Sequence, residues 1–258
     1  MSTLDTVRSE WESLAERDSL SAILTDTSKA GGKWNIDEFM DTGRIEIETV
    51  LQHLAELQCV PNWSGAALDF GCGVGRLTQA LSKYFGSCVG VDISPSMVEK
   101  ASELNTHAHC RYITNVDTHL PFADANFSFI YSNIVLQHMP PRYSKEYLRE
   151  FMRVLEPGGV LVFGVQDSFA IRDTSSLLTR VRNILRLRSR IKTVLGIGHA
   201  DMEMHCLPEH VVKHMLGTAK VMDIQLTNTA EKNFNGNLVY RKQAPASGYI
   251  SKQYCVVK

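Results

Sequence analysis

The stretch ALDFGCGVGRLT, residues 67 to 78, places three glycines within five positions directly after a short apolar run. Glycine accepts positive φ and leaves the backbone open, so such a run between a strand and a helix predicts a tight turn where a ligand can approach a helix N-terminus. A dinucleotide loop, G-x-G-x-x-G, would need its third glycine at Arg76. Asp69 lies two residues before the first glycine, where a carboxylate would repel a pyrophosphate and favour a cationic ligand.

Strand-like and helix-like segments alternate from residue 66 onward. Repeated strand–helix–strand units build a parallel sheet with helices on both faces, because the crossovers are right-handed. We therefore predict an α/β, doubly wound, mostly parallel seven-stranded sheet of the Rossmann-like type. The predicted strands are 66–70, 87–93, 110–114, 127–132, 159–165, 220–228 and 249–258.

The first part of the chain has a different pattern. Ile47, Val50 and Leu54 recur at three- and four-residue steps, which indicates a helix with one buried face. We predict an N-terminal helical cap over residues 1–60, followed by one domain over 61–258.

A second carboxylate, Asp92, ends the next predicted strand and could accept two hydrogen bonds from a ribose diol. With this residue, four segments between residues 66 and 165 resemble the class I S-adenosylmethionine-dependent methyltransferases in order and spacing. They are similar to the small-molecule group whose loop is D-x-G-C-G-x-G. The segments are LDFGCGVGRLT, VGVDISPSMVEKA, LPFADANFSFIYSNIVLQH and FMRVLEPGGVLVFGV.

The resemblance implies S-adenosylmethionine as the cofactor. It places the glycine loop around the methionine part with Asp69 near the ammonium, and Asp92 on the ribose hydroxyls. The family's acidic residue at the adenine corresponds to Asn115, with Asp117 as an alternative because this segment is one residue longer than the common pattern. The full set of cofactor-binding residues implied is Asp69, Gly71, Cys72, Gly73, Asp92, Ile93, Asn115, Val116 and Asn133.

Methyl transfer from a sulfonium is an in-line displacement, so an enzyme needs a base only when the acceptor carries a proton. His138, just after the fourth predicted strand, is a candidate general base because imidazole titrates near neutral pH. The alternative is a histidine that caps a short helix stopped by Pro140 and Pro141. The sequence SNIV stands where amino methyltransferases of nucleic acids commonly carry [DN]-P-P-[YF], which disfavours a nucleic-acid substrate.

The resemblance implies transfer of a methyl group to an oxygen or nitrogen of a small molecule, such as a specialised metabolite or a sugar. Trp34, Met204 and His205 are candidate acceptor-site residues, and a helical insertion over 170–217 is expected to cover that site. Trp34 could instead dock the cap onto the sheet. Two other functions stay open: a catalytically silent S-adenosylmethionine-binding protein and, disfavoured by the glycine spacing, an NAD(P)-dependent oxidoreductase.

Composition limits the partners and the compartment. The 258 residues carry a formal net charge of -1, six scattered cysteines and no apolar run as long as a membrane span. The start of the chain lacks the pattern of a secretory signal, so we expect a cytoplasmic protein. The basic stretch 177–192 is interpreted as a solvated helix face rather than a membrane contact. No metal site is predicted, and the oligomeric state stays open.

Overall fold

The computed structural model describes residues 3–171, 203–231 and 233–258. Its centre is an eight-stranded sheet with the order β3-β2-β1-β4-β5-β8-β6-β7. Strands β1 to β5 are mutually parallel, whereas β8 is antiparallel to both β5 and β6. The strands are β1 Ala66–Phe70, β2 Ser87–Asp92, β3 Cys110–Thr114, β4 Phe127–Ser132, β5 Leu155–Ala170, β6 Lys220–Thr227, β7 Tyr240–Arg241 and β8 Gly248–Val257.

This sheet confirms the predicted α/β doubly wound fold but corrects its strand count from seven to eight. The additional strand, β7, contains two residues and pairs antiparallel with Leu226 and Thr227 of β6. Two residues are too few to give an alternating apolar pattern, so sequence periodicity could not reveal this strand. The seven predicted strands all overlap observed ones.

Six helices accompany the sheet in the described part of the chain, together with one 3₁₀ turn at Leu136–His138. Two of them, α1 and α2, fall within the predicted cap, although the division into a cap and a domain stays a prediction. Residues 172–202 of the predicted helical insertion, which include the basic stretch 177–192, lie outside the described residues. The helices are α1 Leu4–Ile23, α2 Ile36–Glu56, α3 Arg76–Leu81, α4 Pro95–Glu103, α5 Pro141–Val154 and α6 Glu209–Leu216.

Alternation along β1 assigns its side chains to two different cores. Leu68 and Phe70 pack in the cluster that also contains α1, α5 and α6, whereas Ala67 packs with residues of α2 and α3 on the other face. The odd-numbered Asp69 therefore shares the α2–α3 face with Ala67, because side chains alternate between faces along a strand.

The order of the sheet also locates its ligand-binding edge. Strand β1 lies between β2 and β4, so the chain winds away from it in both directions. In such sheets, ligands bind beyond the carboxyl ends of the strands at this switch point. The glycine loop and residues 133–138 follow β1 and β4 at this edge. None of the described helices is long and apolar enough to cross a membrane.

Candidate functional site

The glycine loop after β1 has the conformation that its sequence predicts. Gly71 and Gly73 adopt φ of 76° and 51°, values that favour glycine. The N–H groups of Gly71 and Cys72 both donate to the carbonyl of Val91, at 2.7 and 3.0 Å. A Cβ on Gly71 would lie 2.2 Å from Cγ2 of Val135, so the loop backbone packs directly against the segment after β4.

Asp92 at the end of β2 closes the other side of the loop. Its Oδ2 accepts a hydrogen bond from Gly73 N at 2.8 Å, and its Oδ1 accepts one from Ser94 N at 3.0 Å. Burial raises the pKa of this carboxyl, against the lowering effect of these backbone hydrogen bonds. A carboxylate has about four acceptor positions, so Asp92 can accept further hydrogen bonds from a ligand diol.

A cavity begins at the glycine loop and continues toward the 3₁₀ turn. The empty space inside it, including its open mouth, is about 920 Å³. Eight of the residues predicted from the sequence lie on its wall. They are Gly71, Cys72, Gly73, Asp92, Ile93, Asn115, Asn133 and His138.

The remaining predicted residues are not among those on the described wall. Asp69 is 1% exposed, and its Oδ2 accepts a hydrogen bond of 2.6 Å from Thr78 of α3. Its position on the α2–α3 face explains why it does not line the cavity. Burial raises the pKa of Asp69 to about 7.

The two candidates for the adenine contact lie close together. The backbone N–H of Asn115 donates to the carbonyl of Asp92 at 2.9 Å, and its side chain donates to the carbonyl of Asp117 at 2.6 Å. Asn115 lines the cavity, whereas Val116 is 47% exposed. This placement favours Asn115 over Asp117, and the adenine contact itself stays a prediction.

Helix α1 forms a roof over the cavity, which the sequence interpretation missed. Glu12 of α1 accepts hydrogen bonds from the hydroxyls of Ser94 and Ser96 at the start of α4. Its pKa is lowered overall, because these hydrogen bonds outweigh the raising effect of burial. The roof consists of Leu4, Val7, Trp11 and Ile23.

Trp34 is not on the described wall of the cavity, and its predicted contact with an acceptor stays untested. It is buried beside Phe39, with ring centroids 5.4 Å apart, in an apolar cluster that includes Val74 and Met97. These contacts correspond to the docking alternative considered for this residue.

His138 also lines the cavity. Its ring meets Trp11 of α1 edge-on, with centroids 5.4 Å apart, and Nδ1 is buried without a hydrogen-bond partner among the described residues. Burial, followed by the proximity of His205, lowers the pKa of His138 to about 4. The imidazole is therefore neutral at pH 7.

The segment with Met204 and His205 runs beside the 3₁₀ turn that contains His138. The N–H of His205 donates to the carbonyl of Gln137 at 2.8 Å, and Tyr249 donates to the carbonyl of Met204 at 3.5 Å. Neither Met204 nor His205 is on the described wall, so their predicted contact with an acceptor stays untested. Within the described ranges, no group of three or more histidine, cysteine or acidic residues is arranged to hold a metal ion.

A buried charged cluster stands behind the loop, and sequence interpretation missed it as well. Glu46 of α2 has no exposed surface, and its Oε2 accepts a hydrogen bond of 2.8 Å from Nη2 of Arg76. Its Oε1 accepts hydrogen bonds from the hydroxyl of Tyr131 at 2.8 Å and from Nδ2 of Asn133 at 2.7 Å. A signal was available, since Glu46 falls on the apolar stripe of α2 with Ile47.

Comparison with known proteins agrees with this geometry. Residues 68–163 match the family described as Methyltransferase domain. The chain is 34% identical over 97 residues to the 2-methyl-6-phytyl-1,4-hydroquinone methyltransferase of Synechocystis sp., covering 37% of this chain and 30% of that protein. It is 30% identical over 151 residues to the malonyl-[acyl-carrier protein] O-methyltransferase of Herminiimonas arsenicoxydans, covering 56% and 55%. The chain thus spans about a third to a half of the length of these curated relatives.

Among solved structures, the fold matches magnesium protoporphyrin IX methyltransferase from Synechocystis PCC 6803 with bound S-adenosylhomocysteine. The TM-score is 0.62 at 17% identity, covering 98% of this chain and 99% of that one. Residues 68–163 are therefore similar to a methyltransferase domain, and the chain has the fold of the class I S-adenosylmethionine-dependent methyltransferases. The predicted resemblance and fold are confirmed, and the S-adenosylhomocysteine and S-adenosylmethionine bound in two structures of that enzyme support the predicted cofactor.

Proposed function

We propose that the protein transfers the methyl group of S-adenosylmethionine to an oxygen or nitrogen atom of a small molecule. The observation that carries this proposal is one cavity whose wall holds both groups of predicted residues. The glycine loop and Asp92 line this cavity, and so does His138. Such a cavity could hold a donor and an acceptor in line, which is most of what methyl transfer requires.

The residues in and beside the glycine loop suit the cofactor. Gly71 and Gly73 provide a turn that a Cβ would fill, and Asp92 has acceptor positions left for two ribose hydroxyls. Asn115, which lines the same cavity, is the proposed partner of the adenine amino group. When bound, S-adenosylmethionine supplies an already activated methyl group, so the main tasks of this chain's residues are to bind, orient and exclude water.

The roof of the cavity favours an acceptor with apolar surface. The four α1 residues are apolar, and Val135 and Met139 continue this surface on the other side. Burying apolar area on both partners drives binding, whereas a sugar would place hydroxyls against this apolar surface at a cost. We therefore favour a specialised metabolite over a sugar. The quinol and porphyrin methyltransferases among the similar proteins support this choice.

His138 is the proposed general base. Its pKa of about 4 makes it a weak base, but it is unprotonated at working pH. As the new bond forms, an acceptor hydroxyl becomes strongly acidic, so a weak neutral base in the right position is sufficient. The unpartnered Nδ1 is available to hold that proton.

The test is transfer of labelled methyl from S-adenosylmethionine into extracts of the source cells, followed by mass identification of the product. With the identified acceptor, His138→Ala is expected to lower turnover by about 10²-fold or more. His210→Ala, a change at an exposed histidine of α6, is the matched control and should leave turnover unchanged. Near-full turnover of His138→Ala would rule out the base.

The same experiments separate the other functions. A protein that binds S-adenosylhomocysteine but labels nothing in the extracts would be a catalytically silent binder. Binding of NAD(P) in preference to S-adenosylhomocysteine would overturn the proposal in favour of an oxidoreductase.

A further inference from the structure

Two cysteines that are 196 residues apart in the sequence meet where the end of α2 packs on β8. The Sγ atom of Cys255 donates a weak hydrogen bond to that of Cys59, and the two sulfurs are 3.8 Å apart. Both cysteines are free thiols, and each is 4% exposed. The fold thus holds a pair of thiols in contact, although neither is bonded to the other.

The end of α2 explains how Cys59 reaches the sheet. Gln58 has a φ of 54°, its N–H donates to the carbonyl of Ala55 at 3.0 Å, and the N–H of Cys59 donates to the carbonyl of Leu54 at 2.8 Å. These two hydrogen bonds form the Schellman motif that ends many helices. Cys59 therefore packs in the same apolar cluster as Leu54 and Cys255, from a position outside both helix and strand.

The distance between the sulfurs is short enough for a covalent bond after a small movement. A disulfide bond is about 2.0 Å long, so the two Sγ atoms need to approach by about 1.8 Å from their present 3.8 Å. Strand β8 is held between β5 and β6 and moves little. The movement falls to Cys59, because it belongs to the connection between α2 and β1.

The pair also has the electrostatics of a reactive thiol. The hydrogen bond from Cys255 lowers the pKa of Cys59 against the raising effect of burial, and the positive charge of Lys220 lowers it further. The same hydrogen bond raises the pKa of Cys255, which keeps its proton. The thiolate is the form of cysteine that attacks an oxidant, so one sulfur of the pair is activated by the other.

A small cavity between α2 and the sheet leads to this pair. Cys255 lines it, and its empty space, including its mouth, is about 210 Å³. Within the described residues, Asp223 pairs with Nε2 of His53 at 2.8 Å and accepts a hydrogen bond from Gln225 at 2.7 Å, which uses two of about four acceptor positions. A small polar molecule can therefore be hydrogen-bonded there. The polar side chains on the wall are His53, Asp223, Gln225, Tyr240 and Gln253.

We propose that Cys59 and Cys255 form a reversible disulfide when hydrogen peroxide enters the small cavity. The thiolate of the pair attacks one peroxide oxygen, which breaks the O–O bond and gives a sulfenic acid and hydroxide. The second thiol then displaces the sulfenic oxygen as water, and the hydroxide takes up the proton that the first thiol released. Two thiols and one peroxide thus give one disulfide and two waters, and a dithiol reduces the bond again by exchange.

The new bond would tie the end of α2 to β8. The same helix carries Glu46, whose carboxylate binds Arg76 and Asn133 of the large cavity. Reversibility suits the reducing compartment expected from the sequence, where disulfides are transient and redox-sensing rather than structural. Formation of the bond does not depend on methyl transfer.

The experiment treats the reduced, folded protein with hydrogen peroxide, blocks the remaining thiols, and maps disulfides by mass spectrometry of a digest made without reductant. Two of the six thiols should disappear, the intact mass should fall by two hydrogens, and one linked peptide should contain Cys59 and Cys255. Dithiothreitol should restore all six thiols. Protein unfolded in urea before the peroxide should not favour this linkage, because only the fold brings the two sulfurs together.

The controls separate the pair from the other cysteines. Cys59→Ser and Cys255→Ser should each abolish the linked peptide. Cys206→Ser is the matched control, because Cys206 is partly exposed and lies outside the small cavity. It should form the Cys59–Cys255 linkage at the wild-type rate.

A bulky oxidant tests the route. Cumene hydroperoxide has the same reacting group but does not fit a cavity of this size, so it should oxidise the pair about tenfold more slowly than hydrogen peroxide does. Equal rates for the two oxidants refute entry through the small cavity. Six free thiols in folded wild type after treatment, or a linkage that joins other cysteines instead, overturns the proposed disulfide, and neither result depends on how the serine variants fold.

Discussion

Replacing Asp69 with asparagine should make the protein more stable at alkaline pH than at acidic pH, relative to wild type. The carboxyl is almost fully buried, and burial is the main cause that raises its pKa from 3.8 to about 7. Thr78 can donate to an asparagine oxygen as it does to Oδ2. The substitution therefore keeps the hydrogen bond and removes the buried charge.

The size of the effect follows from linkage. A carboxyl whose pKa is higher in the folded state binds more protons when folded, so wild type loses stability as pH rises from about 3.8 to 7. Each unit of pKa shift corresponds to about 1.4 kcal/mol, so the full loss is about 4 kcal/mol. Between pH 5 and pH 8 the part that titrates is roughly 2 to 3 kcal/mol.

The assay is urea unfolding of both proteins at the two pH values. The free energy of unfolding of Asp69→Asn, minus that of wild type, should rise by roughly 2 to 3 kcal/mol from pH 5 to pH 8. The cost of burying an extra amide N–H is the same at both pH values and cancels in this difference. If the two proteins change in parallel, Asp69 is not a buried acid with a raised pKa. Unchanged S-adenosylhomocysteine affinity would also agree with its place outside the cavity wall.

Three further predictions concern the loop, the roof and the proposed base. In the same urea unfolding assay, Gly71→Ala should destabilise the fold by about 2–4 kcal/mol, because its Cβ would overlap Val135. The control Gly158→Ala, at a similar φ of 78° but in open space, should cost only about 1 kcal/mol. Glu12→Ala removes the hydrogen bonds that join α1 to the start of α4, so amide exchange in α1 should become faster and the KM for the donor should rise up to about tenfold. Unchanged exchange would contradict this. Turnover that needs neutral His138 should be flat between about pH 6 and 8 and fall with an apparent pKa near 4; a fall centred on 6.5 would contradict a buried imidazole.

The fold was predictable because the sequence patterns that indicate its strands are local. The strands at 66–70 and 127–132 are short apolar runs between turns, and their order along the chain restricts the topology through the handedness of crossovers. Gly71, Gly73 and Asp92 follow from the same logic, since a loop after β1 and a residue ending β2 must meet at one edge. Strand β7 did not follow, because it exists only through its pairing with β6.

The cap was harder to predict because its position depends on long-range contacts. Nothing in the spacing of α1 indicates that Glu12 will bond to α4, more than 80 residues later. The buried hydrogen bond of Asp69 likewise depends on the face that β1 turns toward α3. The sequence pattern could place Asp69 beside the loop, but not decide on which side of the sheet its carboxylate lies.

Glu46 shows what a sequence can still reveal about such contacts. A carboxylate at the three- and four-residue spacing of Ile47, Val50 and Leu54 must be buried with them, and a buried carboxylate requires a donor. The cation had to come from a nearby element, and the departure from a third glycine at Arg76 offered one. Read together, these two exceptions to local patterns predict the ion pair that joins α2 to the loop. Places where a local rule fails are therefore where a binding site is best sought, because the cost of each exception must be offset by a partner or a ligand.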